Sequence, residues 1–511
     1  MAVHVFFIAS GSINLNKNLA EDLEFDTMTD NIVENSLPDY QKYQEHHIHH
    51  WEQIAERNNQ WNTCNRYYHK RLQDVVKFVV PPAQRVIEIG CGTGDLLASL
   101  QPSYGVGIDF SEGMIKEARK KYPDLHFLHV DAHELDLNEK FDVIILSDVV
   151  NELWDVQSVF HKISEITTPQ SRIVINFYSR LWELPLGFVR KIGLAKPMLL
   201  QNWLTVEDIS GLLALADFEV IRHWEEIIWP VRTPVIDSLM NRFLAKIWPF
   251  RIFALTHFLV AKPCASVSAA HELPKVSVVV PARNEAGNIE RIMESVPDMG
   301  AQTELVFVEG GSTDDTYDVI EKAIKKNPHR VAKLLRQTGK GKGDAVRLGF
   351  NHADGDILMI LDADLTVPPK DLPRFYEALH TGKAEFVNGV RLVYPMEKEA
   401  MRFFNLLGNK FFSLVFSWLL GQPIKDTLCG TKVLWKKDYE RIAENRSYFG
   451  EFDPFGDFDL LFGAAKLNLK MIEIPIRYRE RTYGTTNISR WKHGLLLLRM
   501  VFFALKRIKF I

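Results

Sequence analysis

Cysteine is scarce in this chain of 511 residues, which has four, at positions 64, 91, 264 and 429. They lie far apart and form neither a Cys-x-x-Cys pair nor the dense spacing of a disulfide-stapled secreted domain. The apolar run at residues 3–9 has no basic residue before it and no convincing cleavage site after it, so a secretory signal is not expected. The sequence therefore predicts a cytoplasmic protein.

An excess of charge of one sign is also missing. Lys and Arg total 61 against 65 Asp and Glu, a formal net charge of -4. Without a global basic field, the chain is not expected to bind nucleic acid. Hydrophobic residues make up 46% and charged residues 25%, which excludes wholesale disorder, collagen and a multi-span transporter. At roughly 150 residues per domain, the length predicts several folded units.

Long uninterrupted apolar runs are absent too. Residues 403–421 contain one charge, Lys410, and fall just short of the roughly 20 apolar residues that span a bilayer. A buried core helix would have a similar composition. Residues 490–511 contain six Lys or Arg and no acid, which favours a basic amphipathic helix attached to the cytoplasmic face of a membrane. The alternative is a helix packed on its own domain with solvated lysines.

Two stretches of the chain alternate β-branched runs with helical segments, a pattern typical of buried parallel strands in α/β domains. Between them, residues 263–274 are small and polar and are flanked by prolines. We therefore predict an N-terminal extension at 1–39, a first domain at 40–262, a linker at 263–274, a second domain at 275–489 and the basic helix at 490–511. Ligands are expected beyond the carboxyl ends of the strands.

In the first domain, the segment VIEIGCGTGDLL places a glycine-rich turn between a strand and a helix. Its candidate ligand-binding residues are Glu88, Gly90, Gly92 and Gly94. Asp109 ends the next strand, nineteen residues after Gly90, where a carboxylate can bind two ribose hydroxyls. Glycines that only close turns are the plain alternative. A dinucleotide enzyme is a competitor, but its GxGxxG fingerprint differs from the GxGxG found here.

This pattern resembles class I S-adenosylmethionine-dependent methyltransferases over about residues 40–262. The resemblance implies that Glu88 and the glycines hold the methionine moiety, that Asp109 holds the ribose, and that Asp131 with Ala132 lies near the adenine. The methyl acceptor cannot be read from the cofactor loop, because methyl transfer depends mainly on positioning. Ser147, Asp148 and Asn151 are candidates for acceptor contacts, or else turn and capping residues.

In the second domain, strands are followed by polar loops that carry Pro281, Glu285 and Glu309. A very apolar strand then ends at Asp362 and Asp364, on either side of Ala363. Two carboxylates at one strand end repel each other unless a cation lies between or beside them. Mg²⁺ or Mn²⁺ held there would neutralise the charge on a departing nucleoside diphosphate.

Residues 275 to about 487 resemble family-two glycosyltransferases of the GT-A fold, through PARNE, EGGSTDDT, GKGDA, DAD, DTLCGTK and RTYGTTNI. The dolichyl- and polyprenyl-phosphate glycosyltransferases are the most similar subgroup. The resemblance assigns Asp362 and Asp364 to the metal. It assigns Pro281, Glu285, Glu309, Lys342 and Arg391 to the nucleotide sugar. Arg481 is expected to contact a phosphate.

Two positions depart from that family. Gly310 stands where a second acid is common, and Asn487 stands where a lysine is usual. Nucleobase choice therefore cannot be carried over, and one phosphate contact is missing. Asp457 and Asp459 lie where many inverting relatives keep a catalytic acid, and Asp459 is the favoured candidate. Either carboxylate could instead be a helix N-terminal residue stabilised by the helix dipole. A general base is needed for a sugar hydroxyl and is dispensable for an ionised lipid phosphate.

These observations predict two tandem α/β transferases: a Rossmann-like methyltransferase followed by a GT-A glycosyltransferase. The expected reaction is inverting, metal-dependent transfer of a sugar to polyprenyl phosphate or a related lipid carrier, with S-adenosylmethionine-dependent methylation in the same pathway. One alternative gives the sugar a glycan hydroxyl as acceptor. Another makes the first domain a binding module without catalysis. The predicted partners are a nucleotide sugar, a lipid-phosphate or glycan acceptor, and a membrane surface.

Overall fold

The computed structural model describes residues 40–191, 201–264, 273–391, 393, 403–446, 456–477, 483 and 490–510. Two seven-stranded mixed sheets, each flanked by helices, account for most of these residues. The expected fold class, two successive α/β domains, is confirmed. The predicted extension at 1–39 and most of the predicted linker, residues 265–272, lie outside the described residues.

The first sheet has the strand order β3-β2-β1-β4-β5-β7-β6. Strands β1 to β5 are parallel, and β7 runs antiparallel to both β5 and β6. Its strands are β1 Arg85–Ile89, β2 Tyr104–Asp109, β3 His126–His129, β4 Val143–Ser147, β5 Arg172–Tyr178, β6 Phe218–Glu226 and β7 Thr256–Pro263. The order reverses between β1 and β4, so a ligand crevice is expected at their carboxyl ends.

Among the described residues, six helices longer than one turn accompany this sheet. They are α1 Tyr40–Val79, α2 Asp95–Ser99, α3 Glu112–Lys121, α4 Val156–Glu165, α5 Glu183–Lys191 and α6 Val206–Leu215. Their starts follow local chemistry: the Ser111 side chain accepts a hydrogen bond from Met114 N, and Thr205 and Asp208 form a capping box. Between β6 and β7, residues 236–253 form short helical turns with no further strand.

The second sheet has the order β10-β9-β8-β11-β13-β12-β14, and β13 is antiparallel to its neighbours. Its strands are β8 Val276–Ala282, β9 Thr303–Glu309, β10 Val331–Arg336, β11 Ile357–Ile360, β12 Phe386–Val390, β13 Lys432–Trp435 and β14 Met471–Pro475. Strands β8, β9 and β11 are parallel and largely buried, so their carboxyl ends meet at one edge.

The helices of the second domain cover both faces of this sheet. They are α7 Ile289–Ser295, α8 Thr316–Lys326, α9 Lys342–His352, α10 Leu372–His380, α11 Phe403–Leu420, α12 Lys436–Glu444, α13 Asp457–Lys466 and α14 Arg490–Ala504. One core lies between the sheet and α9, α11, α13 and α14, and the other lies beneath α7, α8 and α10.

The two domains share an extensive interface. Arg172, the first residue of β5, donates to Glu385 Oε2 at 2.7 Å and to the Asn468 carbonyl at 3.0 Å. Phe78 at the end of α1 packs against the apolar core of the second domain, and Lys466 Nζ lies 3.6 Å from the centroid of its ring. Both an ion-pair network and apolar packing therefore join the first sheet to the second domain.

Candidate active sites

The loop between β1 and α2 turns through three glycines. Gly90, Gly92 and Gly94 have φ values of 72°, 50° and 74°, a conformation that glycine adopts without strain. A Cβ on Gly90 would come within 2.8 Å of Val149, and one on Gly94 within 2.6 Å of the Phe127 ring. Gly92 has open space beside it, so a ligand can approach the backbone there.

Asp109, the last residue of β2, lies buried beside this loop. Its Oδ2 accepts a hydrogen bond from Gly92 N and its Oδ1 one from Ser111 N, each at 2.9 Å. Burial raises the pKa of this carboxyl above its ordinary value, although both hydrogen bonds oppose the shift. A carboxylate can accept about four hydrogen bonds, so Asp109 retains capacity for the two hydroxyls of a ribose.

A cavity at the carboxyl edge of the first sheet brings several predicted residues together. Gly90, Asp109, Asp131 and Ala132 all line it. The Asp131 carboxylate accepts hydrogen bonds from the backbone and ring of His133. Burial opposes its charge, but the His133 and Gln44 hydrogen bonds lower the pKa of Asp131 to about 2. The carboxylate is therefore ionised wherever the protein is folded at neutral pH.

The N-terminal turns of α1 form one wall of the same cavity, which the sequence did not indicate. Tyr43, Gln44 and His47 line it, and Gln44 Nε2 donates to Asp131 Oδ2 at 2.9 Å. Trp51 Nε1 donates to Glu152 Oε2 at 3.1 Å, on the opposite side. The helix is thus tied to both sides of the cleft and shields it from solvent.

Glu88 has a different position from the cavity-lining residues. It is buried in β1, and its Oε2 accepts a hydrogen bond from Leu97 N in α2 at 2.9 Å. Burial raises its pKa to about 8. In this structure Glu88 therefore fixes the start of α2 behind the glycine loop, and its expected role with the methionine moiety remains a prediction.

Asp148 follows β4 with a φ of 57°, which is strained for a residue with a side chain. The Tyr68 hydroxyl lies 2.9 and 3.0 Å from its two carboxylate oxygens, and Asn176 Nδ2 lies 2.6 Å from Oδ1. Burial raises the pKa of Asp148 to about 7, against the effect of these hydrogen bonds. Tyr178 stacks on Tyr68, with ring centroids 6.3 Å apart. This is a candidate proton acceptor for methyl transfer.

Asn151 is engaged by backbone groups. Its Oδ1 accepts from Tyr178 N at 3.0 Å, and its Nδ2 donates to the Asn202 carbonyl at 2.7 Å. Among the residues predicted to contact the acceptor, Asp148 therefore has a pKa raised by burial, which suits proton transfer. Asn151 instead connects two backbone segments through its side-chain amide.

In the second domain, Asp362 lies at the carboxyl edge of β11. The ammonium of Lys342, the first residue of α9, lies 2.6 Å from its Oδ1. Burial alone would raise the pKa of Asp362, but Lys342 and then Lys432 and Arg391 hold it below the ordinary value. Gly430 packs directly against both members of this pair, where a Cβ would overlap them. An anionic carboxylate is thus surrounded by cationic groups that suit a diphosphate.

Asp364 follows Asp362 by two residues in the loop after β11. Its Oδ1 accepts hydrogen bonds from Thr366 N at 3.1 Å and Thr366 Oγ1 at 2.8 Å. No group of three or more His, Cys, Asp or Glu side chains converges anywhere in the part of the chain that the structure describes. Two aspartates at one strand end offer the oxygen ligands that a divalent ion prefers, so these are the residues that would hold it.

Arg391 is held by a residue that the sequence did not single out. Its Nε donates to Asp426 Oδ2 at 2.7 Å and its Nη2 to Asp426 Oδ1 at 2.8 Å, a bidentate pair. Asp426 is fully buried, and although burial opposes its charge, Arg391 lowers its pKa. Asp426 comes from the DTLCGTK segment, whose fixed geometry therefore orients the guanidinium beside Asp362.

The loops after β8 and β9 are joined in the region expected to hold the nucleotide. Asn284, with a φ of 56°, donates from its backbone to Ser312 Oγ at 3.0 Å and accepts from Thr313 N at 2.8 Å. Glu285 is buried, and its N–H donates to Thr316 Oγ1 at 3.0 Å. These bonds make the two loops one unit.

Glu309 and Pro281 lie at the same edge. Glu309 Oε1 accepts from Ser312 N at 2.5 Å, and Pro281 pairs with Val308 near the end of β8. A Cβ on Gly310 would come within 3.0 Å of Gln337 Oε1. A second acid at position 310 would therefore require the end of the Gln337 side chain to shift.

Tyr483 lies close to this edge, because its ring packs on Gly287, where a Cβ would lie 2.7 Å from it. Arg481 and Asn487 lie outside the described residues, so the expected phosphate contact of Arg481 remains a prediction.

Asp459 in α13 is clamped by arginines. Its Oδ2 lies 2.7 Å from Arg446 Nε and 3.8 Å from Arg347 Nη1, and the side chain is buried. Two arginines therefore hold this carboxylate in place, and its expected catalytic role remains a prediction.

The helix of the basic C-terminal segment, α14, buries Leu497, Met500, Val501 and Ala504 in the core of the second domain. It also leaves Leu495, Leu498 and Phe502 exposed. Packing on the domain, the alternative for this segment, is therefore observed, while membrane attachment remains a prediction. None of the described helices combines the length and the apolar character needed to cross a bilayer.

Comparison with known protein families finds one match in each part of the chain. Residues 82–211 match the family model described as a methyltransferase domain, and residues 277–440 match glycosyl transferase family 2. The N-terminal wall formed by α1 precedes the first match, and the Asp426 and Gly430 segment lies within the second.

Two curated relatives match the second half. The chain is 27% identical over 229 residues to undecaprenyl-phosphate 4-deoxy-4-formamido-L-arabinose transferase of Edwardsiella ictaluri, covering 44% of this chain and 64% of that protein. It is 29% identical over 220 residues to dolichol-phosphate mannosyltransferase of Pyrococcus furiosus, covering 42% of this chain and 59% of that protein. The chain thus spans less than two thirds of either relative.

For the first half, a solved SAM-dependent methyltransferase from Thermotoga maritima is 18% identical, with a TM-score of 0.34, over 42% of this chain and 98% of that one. The two family models, placed on either side of the residues that separate β7 from β8, show that the chain joins a methyltransferase domain to a family 2 glycosyltransferase domain.

Proposed function

We propose that the second domain transfers a sugar from a nucleotide sugar to polyprenyl phosphate, and that the first domain uses S-adenosylmethionine to methylate a molecule of the same pathway. The observation that carries the first half is the Asp362 carboxylate at the carboxyl edge of the sheet, whose Oδ1 lies 2.6 Å from the Lys342 ammonium and whose pKa is also lowered by the charges of Lys432 and Arg391. The names of the curated relatives support a polyprenyl phosphate acceptor.

In the proposed glycosyl transfer, a divalent ion held by Asp362 and Asp364 would neutralise charge on the departing nucleoside diphosphate. Arg391, oriented by Asp426, presents its guanidinium to a phosphate oxygen. An acceptor phosphate is already ionised at neutral pH and attacks without losing a proton. The arginine clamp on Asp459 is consistent with a reaction that needs no general base.

In the proposed methyl transfer, the open space beside Gly92 admits the cofactor, and Asp109 and Asp131 bind its polar groups. The sulfonium is activated when it arrives, so the protein mainly aligns the acceptor. Asp148 receives the proton that a hydroxyl or amine acceptor loses, because burial places its pKa near 7. Tyr68 and Asn176 hold the carboxylate in position.

The glycosyltransferase proposal is tested with the full chain, Mn²⁺ or Mg²⁺, a panel of labelled nucleotide sugars and undecaprenyl phosphate. We expect one donor to give an organic-soluble product, and Asp364→Ala to reduce its formation at least about a hundredfold through loss of charge stabilisation. Asp354→Ala is the matched control, because this exposed aspartate pairs with Lys333 at the opposite end of the strand. Transfer to free sugars but not to the lipid would support the hydroxyl-acceptor alternative and contradict the proposal.

The methyltransferase proposal is tested by calorimetric titration with S-adenosylmethionine and by incorporation of labelled methyl groups into a lipid extract. We expect Asp109→Ala to weaken cofactor binding about a hundredfold or more, while the exposed Asp124→Ala binds normally. Unchanged affinity in Asp109→Ala would contradict the assignment of the cofactor site. Binding without methyl incorporation would make the domain a binding module.

A further inference from the structure

Residues 247–253 expose an unusually apolar surface. All seven residues of this segment, IWPFRIF, are exposed, and five of them are large and apolar. Trp248 is 72% exposed and Phe253 61%. Large apolar groups clustered on a protein surface generally mark an interaction site, because their hydration is unfavourable.

The segment is held rigidly from below. Asn241 is buried, and its Oδ1 accepts hydrogen bonds from Ile228 N and Trp229 N at 2.8 Å each. Lys246 is buried against Glu226, with which it forms an ion pair. These buried contacts of Asn241 and Lys246 hold the residues that precede 247–253, so the segment itself lies on the protein surface.

Neighbouring elements extend the surface on both sides. Trp182 Nε1 donates to the Phe253 carbonyl at 3.1 Å, which places the start of α5, with exposed Leu181 and Leu184, alongside the segment. On the other side, Trp418 Nε1 in α11 donates to the Lys246 carbonyl at 3.1 Å. The methyltransferase and glycosyltransferase domains therefore meet along this surface.

Helix α11 continues the surface into the second domain. Its exposed Phe411 and Leu414 lie on the same helix face as Trp418, at a spacing of three and then four residues. The C-terminal turn adjoins it, because Arg242 Nε donates to the Phe510 carbonyl at 2.8 Å. We call the combined exposed residues of 181–188, 247–253, Phe411 and Leu414 the apolar face.

The apolar face lies at the functional edge of the first sheet. Strand β6 is antiparallel to β7, which is antiparallel to β5, so β5 and β6 point the same way. The segment that follows β6 and the helix that follows β5 therefore emerge at the edge that carries Asp109 and Asp148.

The charges around the apolar face favour an anionic bilayer as its occupant. Arg242 and Arg251 are exposed within the segment between β6 and β7, and Lys506 and Arg507 are exposed in the adjoining C-terminal turn. Residues 490–511 contain no acid, residues 236–253 contain one, Asp237, and residues 181–188 contain one, Glu183. Apolar insertion with surrounding basic residues is the chemistry of peripheral binding to anionic lipid, and Trp at such a boundary has both an apolar ring and a polar N–H.

We propose that the apolar face docks on an anionic membrane, so that the methyltransferase domain itself provides part of the membrane contact. This inference rests on the proposed function only in that a polyprenyl phosphate acceptor is presented by a bilayer. Both active edges then operate at one lipid surface, where a lipid-linked product of one domain stays within reach of the other.

Sedimentation with vesicles of phosphatidylcholine and phosphatidylglycerol tests the proposal. We expect the full chain to bind these vesicles and the double variant Trp248→Ser/Phe253→Ser to bind about tenfold less, because two large side chains no longer insert. Leu215→Ser is the matched control. Leu215 is 62% exposed at the opposite end of β6, and its loss should leave vesicle binding unchanged.

Three outcomes would overturn the proposal: equal vesicle binding by the double variant, an equal loss in Leu215→Ser, or a dimer of the full chain that dissociates in the double variant. Glycosyl transfer to a short, water-soluble isoprenyl phosphate separates the two hypotheses. The double variant should retain this activity in full. If the unaltered chain lacks that activity yet binds vesicles through Trp248 and Phe253, the proposed glycosyl transfer is contradicted and the proposed membrane docking is supported.

Discussion

The Lys342 ammonium lies 2.6 Å from Asp362 Oδ1, at the position where a divalent ion would approach that carboxylate. An ammonium and a metal ion cannot both occupy this position, because the two cations repel each other at short range. Metal binding therefore requires Lys342 to turn away, and a diphosphate is the natural anion to receive it. In the proposed reaction, this arrangement would couple metal binding to binding of the nucleotide sugar.

From this coupling we predict that Lys342→Gln binds Mn²⁺ more tightly than the unaltered chain when no nucleotide is present. The expected gain is about fivefold to tenfold, since a competing cation has been removed. Titration of free Mn²⁺ by electron paramagnetic resonance measures it. Lys340→Gln, which removes an exposed lysine from the same loop, should change nothing. Equal affinity in Lys342→Gln would show that the lysine and the metal do not compete.

Gly430 is predicted to be essential for the same site. A Cβ at this position would overlap the Asp362 carboxylate and the Lys342 ammonium, so both side chains would have to leave their present positions. We expect Gly430→Ala to reduce glycosyl transfer at least about a hundredfold while cofactor binding in the first domain is retained. Gly211→Ala in α6, where a Cβ meets nothing within 4 Å, should keep full activity. An active Gly430→Ala enzyme would mean that the pair is not at the reaction centre.

A third prediction concerns pH and Asp148. Its folded pKa of about 7 exceeds the unfolded value of 3.8, so the folded state binds more protons between these values, and stability falls as pH rises through this window. Asp148→Asn removes this pH-dependent loss of stability. The unfolding free energy of the variant minus that of the unaltered chain should therefore increase by about 2 kcal/mol from pH 5.5 to pH 8. Urea denaturation at both pH values measures this difference.

Asp131→Asn is the matched control for this measurement. The folded pKa of Asp131 is lowered to about 2, so its contribution is fully present above 3.8 and is lost only as pH falls towards 2. Its effect should be constant between pH 5.5 and pH 8. A pH-independent difference for Asp148→Asn as well would mean that the Asp148 carboxyl is not held protonated by burial.

Much of the fold follows from local sequence. The glycine-rich turn, the acids at the ends of β2 and β11 and the buried parallel strands are encoded within short segments, and each lies where its pattern indicated. Tyr68 and Asp426 could not be identified this way. Their partners, Asp148 and Arg391, lie 80 and 35 residues away, and only the folded chain brings them together.

The cavity wall formed by α1 illustrates the same limit. Gln44 contacts Asp131 across 87 residues, and a polar helical pattern does not reveal which surface it covers. The apolar face is a similar case. Residues 247–253 have the apolar composition of a buried segment, yet all seven are exposed. Their composition alone does not reveal that they lie on the surface.

The final prediction concerns the interface between the domains. Arg172 and Glu385 form a 2.7 Å ion pair in which the side chains are only 10% and 13% exposed, and Lys262 lies 3.7 Å from the same carboxylate. Burial opposes the charge of Glu385, yet Arg172 and Lys262 lower its pKa, so its stabilising contribution is present above 4.5 and is lost as pH falls through the lowered value. Glu385→Gln leaves two cations without their carboxylate.

We expect Glu385→Gln to lower the unfolding free energy at neutral pH by about 3 kcal/mol, because breaking one side of a buried ion pair leaves uncompensated charge. Glu290→Gln, which breaks the exposed pair with Lys326, should change it by less than about 0.5 kcal/mol. If this ion-pair network couples the unfolding of the two domains, differential scanning calorimetry of Glu385→Gln should show two separate transitions. Similar small effects in the two variants would mean that the interface is held by the packing of Phe78 and its apolar neighbours instead.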